Sequence, residues 1–376
     1  WTVANANASL GRDRASAEAA LRAAALAREA GDEYGLGNAL NVLTFSQPDI
    51  AERLNLLQQA ADAFERAGYL ERRAMVRFNL ASALEELGLY RRSLREREAL
   101  RESALSHGAT AGAAYACLAL VRLATLLGNA QAARDALAAY RALLVDYADP
   151  LADLNQALAQ TELALLAGDT DSAVREAGAA VRFASAQLDA NLQIVALDAL
   201  SRALLANGDR KPALRASARA TRLHRIKGMG KTDVVSRQSL WWQHSRALTA
   251  NGRLDEAWAA LQRAHGFLID AVRSVRDEGL RRSFLNQVAG NREIVRGWLR
   301  ESERRGRPEA ERFEHLHIES DAGEPFKRLV DTGMRLNELR SSAELREFLL
   351  DEVTELSGAE RVLLVLDSAD DGDARL

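Results

Sequence analysis

The chain has 376 residues, enough for two or three domains. Apolar residues supply 48% and charged residues 27%, proportions that exclude wholesale disorder. The formal net charge of −3 gives no electrostatic ground for nucleic-acid binding.

Aromatic residues make up only 5% and there are five prolines, while Ala, Leu, Arg and Glu are prominent. That is the vocabulary of long helices packed through small side chains. Cys117 is the single cysteine, so an internal disulfide and a Cys-based zinc site are both excluded. Within Ala116-Cys117-Leu118-Ala119-Leu120 it reads as a buried small hydrophobe. No run approaches the ~18 apolar residues of a membrane span, and no signal pattern opens the chain. A cytoplasmic location is expected. Because the chain begins at Trp1 and stops after Arg375-Leu376, a piece of a longer protein is expected too.

In chain order, a lone helix is expected over about 14–30, then six helix pairs between 33 and about 275. The turns carry the signal. Leu87-Gly88-Leu89-Tyr90, Leu127-Gly128-Asn129, Ala167-Gly168-Asp169, Asn207-Gly208-Asp209 and Asn251-Gly252-Arg253 each close one apolar helical pattern and open another. Their glycines are spaced 40, 40, 40 and 44 residues apart. Five residues after each glycine stands a small residue (Ser93, Ala133, Ala173, Ala213, Ala257), and seven before it a modest one (Ala81, Val121, Thr161, Ser201, Ser245). Small side chains on both helices let two antiparallel axes approach closely. One pair cannot bury its apolar face alone, so pairs must stack. Gly31-Asp32, Ser46-Gln47-Pro48-Asp49, Gly68-Tyr69, His107-Gly108, Asp149-Pro150 and Lys227-Gly228 mark the other turns. After Leu254 no clear stop appears, which suggests an extended last helix.

These turns resemble the tetratricopeptide-repeat (TPR) family, whose usual period is about 34. The resemblance implies an all-α fold, a right-handed superhelix of antiparallel pairs, with each helix lengthened by nearly a turn. Past the charged stretch Arg300–Arg305, the segment near Gly306-Arg307-Pro308 reads as a linker. Two helical patterns follow, the first over 325–339 and the second carrying Leu345, Phe348, Leu349, Val353 and Leu356 on one face. Ser357-Gly358-Ala359-Glu360 then leads into an apolar strand, Arg361–Asp367, and an acidic hairpin turn. That order is similar to the start of a GAF domain. The resulting division is 1–275 TPR-like repeats, 276–305 extended capping helix or junction, 306–324 linker, and 325–376 signalling helix with the first part of a GAF-like domain.

Three tempting motifs fail on spacing or context. Gly228-Met229-Gly230-Lys231-Thr232 lacks the first glycine of a phosphate loop, since Arg225 stands there, and a repeat helix rather than a strand precedes it. His315 and His317 have only Glu314 and Glu319 as neighbouring ligand types, and a solvated linker accounts for them better than zinc. The arginines are balanced by acids on the same helices, as in salt-bridge-laced faces. No nucleophile has a recognisable base, so no enzyme, cofactor or metal is expected.

The TPR resemblance implies that the first helix of each pair lines a concave groove for a protein or peptide. Placed by distance from each turn glycine, the groove positions are Phe78 and Ser82, Tyr115 and Arg122, Glu162, Asp198 and Arg202, and Trp242 and Arg246. Phe78 and Tyr115 also suit packing between repeats. Trp241 and Trp242, being adjacent on a helix, cannot share one core, so one of them should lie near a surface or against the terminal helix. The expected role is a regulatory interaction module of a bacterial signal-transduction protein, ahead of a GAF-like sensory domain, with a homodimer through the C-terminal helices. The alternatives are the repeat region of a protease-like effector and a structural oligomerisation scaffold.

Overall fold

The computed structural model describes residues 1–10, 12–47, 49–187, 189–230, 235–316, 342–357 and 362–365. Their regular structure is helical throughout. The helices are α1 (Thr2–Ser9), α2 (Asp13–Ala30), α3 (Glu33–Ser46), α4 (Ile50–Arg66), α5 (Leu70–Glu86) and α6 (Tyr90–Ser106). Next come α7 (Thr110–Leu126), α8 (Ala130–Leu143), α9 (Ala152–Ala167), α10 (Thr170–Ala186), α11 (Ala190–Ala206) and α12 (Arg210–Ile226). The last are α13 (Arg237–Ala250), α14 (Leu254–Arg273), α15 (Glu278–Asn286), α16 (Ala289–Arg304), α17 (Glu309–Arg312) and α18 (Ser342–Ser357). The lone helix and the six pairs expected from the turn spacing are α2 and α3/α4 through α13/α14.

The turns work as their chemistry requires. At Gly128 the backbone takes φ +73°, its N–H donates to Thr125 O, and Asn129 N donates to Ala124 O, so the last carbonyls of α7 are satisfied. Asn129 then caps α8 by accepting from Ala132 N at 3.1 Å. The same positive φ recurs at Gly88, Gly168, Gly208 and Gly252. All ten small positions flanking these glycines are buried. Two of the pairs are bonded as well as packed: Ser201 Oγ donates to Ala213 O at 3.1 Å and Ser245 Oγ to Ala257 O at 2.8 Å.

The chain divides into two compact units. One comprises Trp1–Arg92, Val272–Arg292 and the described residues from His315 onward; the other comprises Ser93–Ala271 and Glu293–Glu314.

In the first unit, α1 to α5 pack in sequence. Gly37 lets α3 close on α4, since a Cβ there would stand 2.9 Å from Phe64 Cζ. The extended last helix expected after Leu254 is α14, at 20 residues the longest among the described residues, and it does not run on into 276–305. Instead α14 ends at Arg273, Asp277 caps α15 by accepting from Leu280 N, and α16 follows as a separate helix. Ser283 Oγ of α15 donates to Leu87 O at the end of α5. Helix α18 packs on α15. Leu345, Leu349 and Val353, three members of its expected apolar face, are exposed.

The strand expected over Arg361–Asp367 is not formed at its described part, since 362–365 carry neither helix nor strand. A strand needs a neighbouring strand to satisfy its backbone, and none is available among the described residues. The Gly358-Ala359-Glu360 junction, the acidic turn and the helix over 325–339 lie outside the described residues.

In the second unit the pairs α7/α8, α9/α10 and α11/α12 build consecutive cores. Cys117 is fully buried among Leu120, Val121, Ala133 and Tyr140, as its apolar run implied, and burial raises its thiol pKa. After α8 the chain folds around Asp149. That carboxylate accepts from the Tyr140 hydroxyl, from Asn155 Nδ2 at 3.0 Å and from Leu151 N at 2.9 Å.

Candidate partner-binding site

Arg122, Glu162, Arg202 and Arg246 each stand six residues before their turn glycine, on α7, α9, α11 and α13. Equal register on successive first helices places like positions side by side, and the contacts confirm it for the central two. Arg202 Nη1 donates to Glu162 Oε2 at 3.1 Å, and Nη2 to Oε1, a bidentate pair across 40 residues of sequence. One turn earlier on α11, Asp198 accepts from Arg202 Nε at 3.1 Å through Oδ2.

The two carboxylates respond differently to one arginine. Burial opposes ionisation of Glu162, but the charge and bonds of Arg202, with Arg122 beyond, outweigh it and hold its pKa below the usual value. Burial raises the pKa of Asp198, and Arg202 only partly offsets it. The geometry accounts for the difference. Glu162 receives both guanidinium arms, whereas Asp198 receives one bond and is 5% exposed. Its Oδ1 is buried with no hydrogen-bond partner among the described residues. Such an acceptor costs about 1–3 kcal/mol, or more where charged, unless a donor reaches it.

The other expected positions fall elsewhere. Phe78 and Ser82 belong to the first unit, where Ser82 Oγ donates to Phe78 O at 3.1 Å. Tyr115 is exposed, its ring 6.5 Å from that of Tyr147, whose hydroxyl donates to the Tyr115 oxygen at 3.5 Å. The neighbouring Tyr147 hydroxyl, then burial and the nearby Asp149 charge, push the Tyr115 pKa up to about 12.

The tryptophan pair separates as expected. Trp241 is buried and donates through Nε1 to His224 Nδ1 at 3.1 Å, while His224 Nε2 donates to Gly230 O. This bond ties down the turn after α12, where Met229 takes φ +58°. Trp242 lies against α16, donating to Glu293 Oε2 at 2.9 Å. A Cβ at Gly297 would stand 2.7 Å from Trp242 Cη2, so only glycine permits this approach. Trp242 is therefore engaged within the chain, while Arg246 beside it is exposed. The glycine in Val295-Arg296-Gly297-Trp298, inside a helical pattern, was the available sign of close packing.

His244, also on α13, meets Ser217 Oγ at 2.9 Å. Burial first, then Arg225 and Arg253 against a small opposing pull from Glu256, push its pKa down to about 4 from 6.5. The unfolded chain thus takes up a proton between those values that the folded chain refuses, so stability falls as pH drops through that window. The loss is about 2 kcal/mol once partial solvent access is allowed for. The melting temperature should fall between pH 7 and 4.5, and His244→Gln should flatten that fall.

Among the described residues no group of three or more His, Cys, Asp or Glu side chains is placed to hold a metal. His317 and Glu319 lie outside the described residues, as do Lys231 and Thr232. No described helix is long and apolar enough to cross a membrane.

No protein-family model matches the chain, and no curated protein matches it. Among solved structures it is similar to a signal transduction ATPase with numerous domains (STAND) protein with a tetratricopeptide repeat sensor, from Pyrococcus horikoshii. The TM-score is 0.38 at 11% identity, covering 78% of this chain and 47% of that one. The chain thus spans about half the length of that protein.

Proposed function

We propose that the chain is a non-catalytic, cytoplasmic interaction module of a bacterial signal-transduction protein. In this reading a protein or peptide lies across the first helices of the second unit, and its binding is coupled to a downstream GAF-type sensory and output domain. The observation that carries the reading is the row of charged side chains at one register, Arg122, Glu162, Arg202 and Arg246. An extended peptide supplies backbone N–H donors and alternating side chains, the groups such a row can bind. Coupling would act by shifting which conformation of the following segments is favoured.

The test is selection from a random peptide library displayed against the intact chain. Sequences enriched on the wild type and lost on Arg122→Glu, a charge reversal at an exposed position, are expected, with circular dichroism confirming that the fold is kept. Enrichment that survives Arg122→Glu and Arg246→Glu alike would overturn the groove reading.

A further inference from the structure

At the end of the second unit, α13, α14 and α16 enclose an open cleft of about 350 Å³. Its apolar walls include Trp242, Trp258, Leu254 and Leu261, and Arg246 and Arg300 also border it. The walls are fixed before any ligand arrives. Trp242 is held by Glu293 and by the close passage of Gly297. Trp258 stacks on Trp298 at 5.0 Å and 12°, with the Arg305 guanidinium 5.1 Å from its ring centre. Trp298 in turn stacks on His265 at 3.9 Å.

The residues lining the cleft carry a net positive charge, and Arg246 also acts on the buried Asp198 nearby, helping to lower its pKa against the effect of burial. Glu301, the cleft's one acid, is taken by Arg304, whose Nε and Nη2 both reach Glu301 Oε2, at 3.1 and 2.8 Å. Among the described residues neither Arg246 nor Arg300 has a carboxylate at salt-bridge distance, and both side chains belong to exposed residues. Arg246 makes one long bond to Gln243, at 3.4 Å. Two guanidinium groups beside rigid indole walls form a site for an anion with a flat apolar body. The forks suit a carboxylate and the indoles suit a ring. The volume suits a molecule of one or two rings.

The geometry points to this cleft as a binding site for a small aromatic carboxylate, through which the module senses a metabolite independently of its peptide partner. The site does not rest on the groove reading, although Arg246 borders both.

The experiment is a ligand-observed NMR titration of the whole chain with 1-naphthoate and, separately, with 1-naphthamide, which has the same body and no charge. Saturable binding of the acid is expected, weaker by about tenfold or more for the amide, the scale of one charge-assisted contact. Arg300→Ala and Arg246→Ala should each weaken the acid by a similar factor. Leu254→Trp, at a half-exposed position on the cleft, should abolish it. Arg122→Glu should leave it unchanged, which separates this site from the groove. Equal binding of acid and amide, indifference to both arginine changes, or no saturable binding of 1-naphthoate would each overturn the proposal. Circular dichroism of each variant confirms that the fold is kept.

Discussion

Replacing Arg202 with alanine is expected to destabilise the chain by about 2–3 kcal/mol and to reverse the pH response of Glu162. The change leaves Glu162 and Asp198 on one face without the cation that holds them. Breaking a buried pair costs more than making it gains, because the remaining charge stays desolvated. The value sits below the upper range for buried pairs because Arg202 and Glu162 side chains keep 34% and 33% of their exposure. The sign with pH follows from the two carboxylates. In the wild type the Glu162 pKa is lowered, so its contribution is present above the unfolded value and is lost as pH falls through the folded one. Without Arg202 both carboxylates sit above their unfolded values, and acid relieves them. The stability gap between wild type and variant should therefore narrow as pH falls from 7 towards 4, as read by urea unfolding at each pH. A gap that widens would contradict the arrangement.

The second large effect concerns the first unit. Gly88 carries φ +80°, and a Cβ there would stand 2.5 Å from Gln287 Cβ and 3.3 Å from Val288 N. Gly88→Ala combines the left-handed penalty of about 1–2 kcal/mol with overpacking of about 1–3 kcal/mol, so a loss of about 3 kcal/mol is expected. Gly68 provides the control. It has φ +73° and nothing within 4 Å, so Gly68→Ala should cost only about 1 kcal/mol. Urea midpoints of the two variants measure the difference. Equal losses would mean that α15 is not seated against the turn after α5.

The repeat was legible because its signals are local. A glycine that must take positive φ, and small residues at fixed offsets on either side, depend only on neighbouring turns of the chain. The charged register of Arg122, Glu162, Arg202 and Arg246 followed from the same ruler. What could not be read depends on contacts far apart in sequence. Ser283 meets Leu87 across 196 residues, and nothing near Ser283 announces that partner. That one tryptophan of the pair meets the terminal helix follows from their adjacency, but that Trp242 does so through Glu293 and Gly297, 51 and 55 residues on, does not. The burial of Asp198 and its unsatisfied oxygen depend on how α9, α11 and α13 are set together, which composition does not encode. Helix α18 was expected from its apolar spacing, but spacing cannot say whether that face is covered, and Leu345, Leu349 and Val353 are exposed.

The most direct test of the binding reading is amide hydrogen exchange of the intact chain, with and without the tightest peptide from the library selection. Added protection is expected on the first helices α7, α9, α11 and α13, with α8, α10 and α12 unchanged. Protection confined to the second helices, or none at saturating peptide, would contradict it.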